Sequence, residues 1–278
     1  MSVSRRTFLE ATPFVLAPAI WPQASVPSAP LPPSSSLSST FPTQSPDLAR
    51  EMVAVSHSNI GRVKELLALH PTLSRASWDW GFGDWEDALG AASHVGNREI
   101  ATVLIANGAR PTIFSAAMFG HLDTVKAFIA ASPGIEATPG PHGITLLRHA
   151  MAGGPASESV VEYLKTLPLA DRRPETQPIA PEGLAALAGD YVYGTGPDER
   201  IIIAVTANGV LTFTRAKGSA RNLFHVGDRA FFPVGAPLVR IKFRETSGGM
   251  SLTVHDPGLI VEAKRTSGVV LGFRSDHA

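Results

Sequence analysis

Apolar and small residues recur at helical spacing in the first half of the chain. A repeated phrase occupies residues 87–97, 111–121 and 145–154. Each copy places an apolar residue, a small residue three positions later and a closing glycine in matching positions. Four further segments carry apolar side chains on one helical face: residues 62–69, 99–105, 123–129 and 158–164. The pattern predicts about four stacked helix pairs over residues 47–170.

Alternating apolar and polar residues replace this spacing after residue 184. Strands are predicted at residues 201–206, 210–214, 239–244, 250–254 and 259–265. Asn208-Gly209 between the first two is a strong β-hairpin signal. Strands with one apolar and one polar face, joined by short turns, predict an antiparallel sheet closed into a small barrel or sandwich.

The predicted fold class is therefore α+β and multidomain. A short α-helical solenoid spans residues 47–170, and a polar, proline-marked linker spans 171–183. The antiparallel β domain spans 184–266, and a C-terminal tail spans 267–278.

The helical half resembles the ankyrin-repeat family at several short motifs. Gly96-Asn97 and Gly120-His121 match its Gly-His between helices, residues 107–109 match its Asn-Gly-Ala, and Thr145 begins its Thr-Pro-Leu-His-x-Ala phrase. Leu and Arg at 146 and 148 replace the Pro and His of that phrase, and the step from Gly96 to Gly120 is shorter than the usual repeat of about 33 residues. The resemblance implies a scaffold that binds a partner protein.

The β domain resembles a small lipocalin-like barrel. Leu-Ala-Gly-Asp-Tyr at 187–191 and Glu-Ala-Lys-Arg at 262–265 are similar to the barrel appended to bacterial β-lactamase and esterase-type serine proteins. The resemblance implies an accessory module, and we find no sequence signature of the serine enzyme that this barrel normally follows.

Composition excludes several function classes. The 278 residues include 24 basic and 24 acidic side chains, so no net charge attracts nucleic acid or an anionic membrane. No run approaches the roughly 20 apolar residues of a membrane-spanning helix. The chain has no cysteine, which excludes disulfides, thiolate chemistry and cysteine metal sites.

The N-terminus resembles a bacterial twin-arginine export signal. Arg5-Arg6 is followed by Phe8-Leu9 and a modest apolar stretch, which predicts a signal peptide at 1–24 cleaved after Ala19 or Ala24. Residues 25–46 are rich in Ser and Pro and predict a disordered linker. We expect the protein in the periplasm or secreted.

No familiar catalytic signature is present. We find no Gly-x-Ser-x-Gly elbow, Walker loop or His-Glu-x-x-His motif. His94 and His149 fall in first helices and could share a groove, but no carboxylate stands at ligand spacing beside either. His225 and His255 are interpreted as loop residues. The sequence thus predicts no metal, no cofactor and no enzyme, with an unrecognised hydrolytic site as an alternative.

An aromatic loop at residues 78–87 is the most concentrated local feature. Three of the four tryptophans fall within it, just before a predicted first helix. Large aromatics dominate binding hot spots, so we predict a partner-binding site formed by Trp78, Trp80, Phe82, Asp84 and Trp85. Its acidic residues argue against nucleic acid.

Two structural interpretations of the aromatic loop remain open. Trp78 and Trp80 could cover the end of the stack as a lid, with Asp84 or Asp87 capping the next helix. In a mixed arrangement Trp85 packs, while Trp80 and Phe82 project into solvent.

The predicted function is that of an exported, non-enzymatic protein-interaction module. The alternative is a small apolar ligand in the β-barrel, which an empty cavity of several hundred cubic ångströms would favour. The lining would then consist of Val205, Leu211, Phe213, Phe231, Phe232, Ile241 and Phe243. Otherwise these side chains fill the core.

Overall fold

The computed structural model of the protein describes residues 40–216 and 218–266. The predicted export signal, most of the predicted linker at 25–46 and the predicted tail at 267–278 lie outside the described residues. The described residues combine helices with a closed antiparallel β-barrel, which confirms the α+β class and the barrel. Among the described helices, none has the length and apolar character needed to cross a membrane.

Eight α-helices lie in the first half of the described chain. They are α1 (Pro46–Val55), α2 (Ile60–Leu69), α3 (Ala88–His94), α4 (Arg98–Ala106), α5 (Ile113–Phe119), α6 (Leu122–Ala131), α7 (Leu146–Ala152) and α8 (Glu158–Lys165). α3 contacts both α1 and α5, and α5 contacts α7, so alternate helices lie side by side. Side-chain caps fix the helix starts: Asp87 accepts from the Gly90 N–H before α3, and Thr112 and Ser115 form a capping box at α5.

Close approach between the helix pairs depends on two glycines of the repeated phrase. Gly96 and Gly120 adopt φ of 74° and 77°, in the left-handed region. A Cβ at either would lie 2.0 Å from a backbone oxygen, that of Ala152 or Ala156. Any other residue would strain the backbone and push the neighbouring segment away. The periodic glycines of the sequence therefore have a packing cause.

The aromatic loop forms a short β-hairpin between α2 and α3. Its strands are β1 (Ser77–Asp79) and β2 (Trp85–Asp87), which pair antiparallel. Asp87 ends β2 and caps α3, as one of the structural interpretations expected. The hairpin therefore has a fixed position relative to the start of α3.

Eight strands close into the antiparallel barrel. They are β3 (Gly189–Val192), β4 (Arg200–Val205), β5 (Leu211–Arg215), β6 (Arg221–His225), β7 (Ala230–Pro233), β8 (Arg240–Thr246), β9 (Gly249–Asp256) and β10 (Leu259–Arg265). Consecutive strands pair, and β10 closes on β3. The strands β3, β6 and β7 were not predicted, because each has only four or five residues. The loop interpretation of His225 and His255 is wrong, since these residues lie in β6 and β9.

A further helix, α9 (Pro181–Leu187), starts inside the predicted linker. Its Leu184 and Leu187 are buried in the barrel core, and the Tyr191 hydroxyl donates to the Leu187 carbonyl at 2.7 Å. The helix was missed because its seven residues are too few for a clear period.

Apolar side chains fill the barrel interior. Of the seven residues expected to line a cavity there, Leu211, Phe231, Ile241 and Phe243 belong to a buried core with Tyr191 and Leu223. Val205 is 39% exposed, so it cannot line an interior. The described strands thus enclose a packed core.

Candidate metal centre

Three histidines and one glutamate from separate segments converge in the helical half. His57 lies in the turn after α1, Glu86 in β2, His94 at the end of α3, and His142 in the loop between α6 and α7. One potential ligand atom from each lies within 4.8 Å of the others. Helix ends and turns place these side chains together, although they are far apart in the sequence.

The interatomic distances suit a transition-metal ion. The Nε2 atoms of His57 and His94 are 3.1 Å apart, and Glu86 Oε1 lies 2.9 Å from His94 Nε2 and 3.4 Å from His142 Nε2. Zinc bound at about 2.0–2.1 Å with tetrahedral angles places its ligand atoms roughly 3.3 Å apart. The observed spacings bracket that value.

Glu86 is buried, with 1% of its surface exposed. Its Oε2 accepts a hydrogen bond from Trp80 Nε1 at 2.7 Å, whereas Oε1 makes no hydrogen bond within the described part of the chain. Burial raises the pKa of Glu86, but the imidazoles of His142 and His94 outweigh it and lower the pKa to about 2. A buried carboxylate oxygen without a partner is costly, and a cation would satisfy it.

Two of the imidazoles are oriented by hydrogen bonds at their other nitrogen. His57 Nδ1 lies 3.0 Å from the Ala54 carbonyl oxygen, and His142 Nδ1 lies 2.8 Å from Asp84 Oδ2. When Nδ1 carries the proton of a neutral imidazole, Nε2 presents a free electron pair to the cluster. Carbonyl and carboxylate partners of this kind are typical of metal-binding histidines.

The barrel contributes the layer behind His142. Asp84 is 4% exposed and accepts from the His142 backbone N–H at 2.8 Å and from the Arg221 guanidinium on β6. Arg221 also donates to the Trp80 carbonyl at 3.2 Å. Gly235, with φ of 75°, packs against this carboxylate, and a Cβ there would lie 2.3 Å from Asp84 Cγ. The position of His142 therefore depends on both halves of the molecule.

The same residues could instead form an ion-pair network without a metal. Burial lowers the pKa of His142, but Asp84 and Glu86 outweigh it and raise the pKa to about 9, which favours an imidazolium between two carboxylates. One proton shared by His57 and His94 would account for their contact. The network nonetheless leaves Glu86 Oε1 without a hydrogen bond, whereas a metal ion would satisfy all four side chains at once.

The predicted partner-binding residues have different environments. Trp85 is 63% exposed and Trp78 is half-buried. The expectation that Trp80 and Phe82 project into solvent is wrong: Trp80 donates to Glu86, and the Phe82 ring packs 5.4 Å from that of Phe213 in the barrel. The mixed arrangement is reversed, because Trp85 is the exposed member. Buried Asp84 is held by His142 and Arg221 and offers no free surface to a partner.

Sequence reasoning missed three of the four clustered residues. It weighed His94 with His149 and set a metal aside because no carboxylate stood at ligand spacing, but the β-hairpin brings Glu86 to His94. Burial lowers the pKa of His149 to about 4, and its ring packs 4.7 Å from that of Phe114, outside the cluster. The one local signal was Gly-Pro-His-Gly at 140–143, a turn composition around His142.

No known protein family, curated protein or solved structure matches this chain. Any function must therefore be argued from the geometry of its own residues.

Proposed function

We propose that the protein binds one divalent transition-metal ion through His57, Glu86, His94 and His142. The observation that carries the proposal is the convergence of three imidazoles on a buried carboxylate whose Oε1 has no hydrogen bond among the described residues. Nitrogen and oxygen ligands without sulfur suit zinc, and imidazoles disfavour magnesium and calcium.

The proposed centre is structural. Four protein ligands fill a tetrahedral site, whereas catalytic zinc keeps a position for water or substrate. An ion here would join the turn after α1, the aromatic loop, the end of α3 and the loop at 140–143. This role agrees with the expectation of a non-enzymatic protein, which remains part of the proposal.

Zinc titration by isothermal calorimetry of the metal-stripped full chain tests the proposal. We expect one zinc per chain, and a loss of at least 100-fold in affinity for His94→Ala and for Glu86→Gln, because each removes a ligand atom. His255→Ala is the matched control, since His255 is exposed on the barrel. Absence of zinc binding, or equal affinity in His94→Ala and His255→Ala, would overturn the metal proposal.

We further infer that the helical half is an ankyrin-type stack. The support is the alternate helices that lie side by side, the glycines at 96 and 120 that permit close packing, and the β-hairpin ahead of α3. Stacks of this kind present binding surfaces, and the 63% exposure of Trp85 favours partner binding as a second function. Trp85→Ser should reduce recovery of a bound protein from periplasmic extract. The exposed-residue control Leu238→Ser should not.

Export remains a proposal that rests on Arg5-Arg6-Thr7-Phe8-Leu9. Replacing both arginines by lysine should retain the protein in the cytoplasm. Mature-length variant protein outside the cytoplasm would contradict a twin-arginine route.

A further inference from the structure

A second cavity, of about 740 Å³, lies between the aromatic loop and the mouth of the barrel. The aromatic loop supplies Trp80 and Phe82, and the barrel supplies Ile201, Phe213, Val254 and Val261. Its volume falls within the roughly 300–1,000 Å³ of small-molecule sites. The barrel core lies beneath it, so a ligand would occupy the mouth and not the interior.

The backbone of the aromatic loop holds Phe82 over the barrel mouth. Gly81, Phe82 and Gly83 adopt positive φ of 112°, 60° and 74°. A positive φ is uncommon for a residue with a side chain, so contacts must stabilise Phe82 in this conformation. The edge-on packing of Phe82 against Phe213 supplies one. The loop is therefore fixed as one wall of the cavity.

The charges among the described lining residues balance. Arg215 and Arg221 stand against Asp198 and Asp256, and Arg221 is already paired with Asp84 behind the wall. A ligand with a net charge would meet no excess of opposite charge here. The remaining wall is mainly aromatic and aliphatic, and it includes Leu259, which is 58% exposed.

We propose that this cavity binds a neutral, apolar small molecule. Covering Leu259 and the apolar wall removes hydrophobic surface from water, which stabilises the complex in proportion to the area buried. The site is separate from the metal ligands, so the proposal does not depend on the metal.

Neighbouring residues of β10 provide a matched pair of variants for the test. Leu259 lines the cavity, whereas the adjacent Ile260, 64% exposed, does not. The probe is the neutral fluorophore N-phenyl-1-naphthylamine, titrated into the full chain in the presence of a metal chelator. Leu259→Asp puts a charge into the apolar wall, and Ile260→Asp puts the same charge just outside it.

We expect saturable binding of one probe molecule per chain, weakened at least 10-fold by Leu259→Asp and less than 2-fold by Ile260→Asp. The anionic probe 8-anilinonaphthalene-1-sulfonate should bind more weakly than the neutral one. No saturable binding, equal effects of the two variants, or tighter binding of the anionic probe would each overturn the proposal. Circular dichroism of both variants verifies that they fold, and the exposure of both residues favours this outcome. Because the chelator removes metal, failure here leaves the metal proposal intact.

Discussion

The two halves of the molecule differ in the polar groups that they bury. Of the buried polar and charged residues in the described chain, Thr212 and Arg221 belong to the barrel. The helical half buries many more, including Asp84, Glu86 and His149. Arg221 interacts with the aromatic loop and with the Val234 carbonyl at the edge of the barrel. The barrel thus behaves as an apolar support, and the chemistry is concentrated where the aromatic loop meets the helices.

The largest effect should come from the ion pair that joins the halves. Asp84→Ala leaves the Arg221 guanidinium, 6% exposed, without its carboxylate, and breaking a buried pair costs about 3–5 kcal/mol. The exposed pair Asp190–Arg200 is the control, because surface pairs contribute about 0–1 kcal/mol. Urea unfolding of Asp84→Ala and Asp190→Ala measures both. Equal losses would contradict a buried, structural role for Asp84.

Zinc should stabilise the folded protein by a somewhat smaller amount. Zinc at 100 times its dissociation constant contributes about 2.7 kcal/mol if only the native state binds it. The resulting rise in thermal midpoint should vanish in His94→Ala and persist in His255→Ala. An equal rise in both variants would indicate binding elsewhere on the chain.

A smaller effect should appear as pH changes in the metal-free protein. The pKa of His142 is raised to about 9, so its stabilising contribution is complete below about 6.5 and is lost as pH rises towards 9. Loss of one proton's contribution between pH 7 and pH 8 cannot exceed about 1.4 kcal/mol. His142→Gln should flatten this slope in urea unfolding. A slope that is unchanged in the variant would show that another group titrates.

At the acid end the sign reverses. The pKa of Glu86 is lowered to about 2, so its contribution is complete above about 4.5 and is lost as pH falls towards 2. The metal-free cluster should therefore be most stabilising between about pH 4.5 and 6.5. Zinc needs unprotonated imidazoles, so zinc affinity should instead increase with pH across the neutral range.

The smallest effect should come from the exposed tryptophan of the aromatic loop. Trp85→Ala should change unfolding free energy by no more than about 0.5 kcal/mol, because exposed substitutions rarely do more. Trp80→Ala should cost clearly more, since it removes the donor to buried Glu86. Equal losses in the two variants would remove the distinction that the structure draws between these residues.

Local pattern predicted the fold well because its causes are local. Glycine spacing gave the helix pairs, and alternation gave the five longer strands of the barrel. The short strands β3, β6 and β7 and the seven-residue α9 carry too few residues for a period. The cluster could not be predicted in this way, because His57 and His142 reach Glu86 only through tertiary packing, and a carboxylate eight residues from His94 in sequence gives no spacing signal.

X-ray absorption at the zinc edge tests the central claim most directly, with the metal-stripped full chain reloaded with one zinc equivalent. The account predicts four nitrogen or oxygen neighbours at about 2.0–2.1 Å, outer-shell scattering from three imidazoles, and no sulfur. In His142→Ala the imidazole scattering should fall to that of two rings. A zinc ion surrounded mainly by water, or a spectrum that is the same in wild type and His142→Ala, would contradict a metal centre at His57, Glu86, His94 and His142.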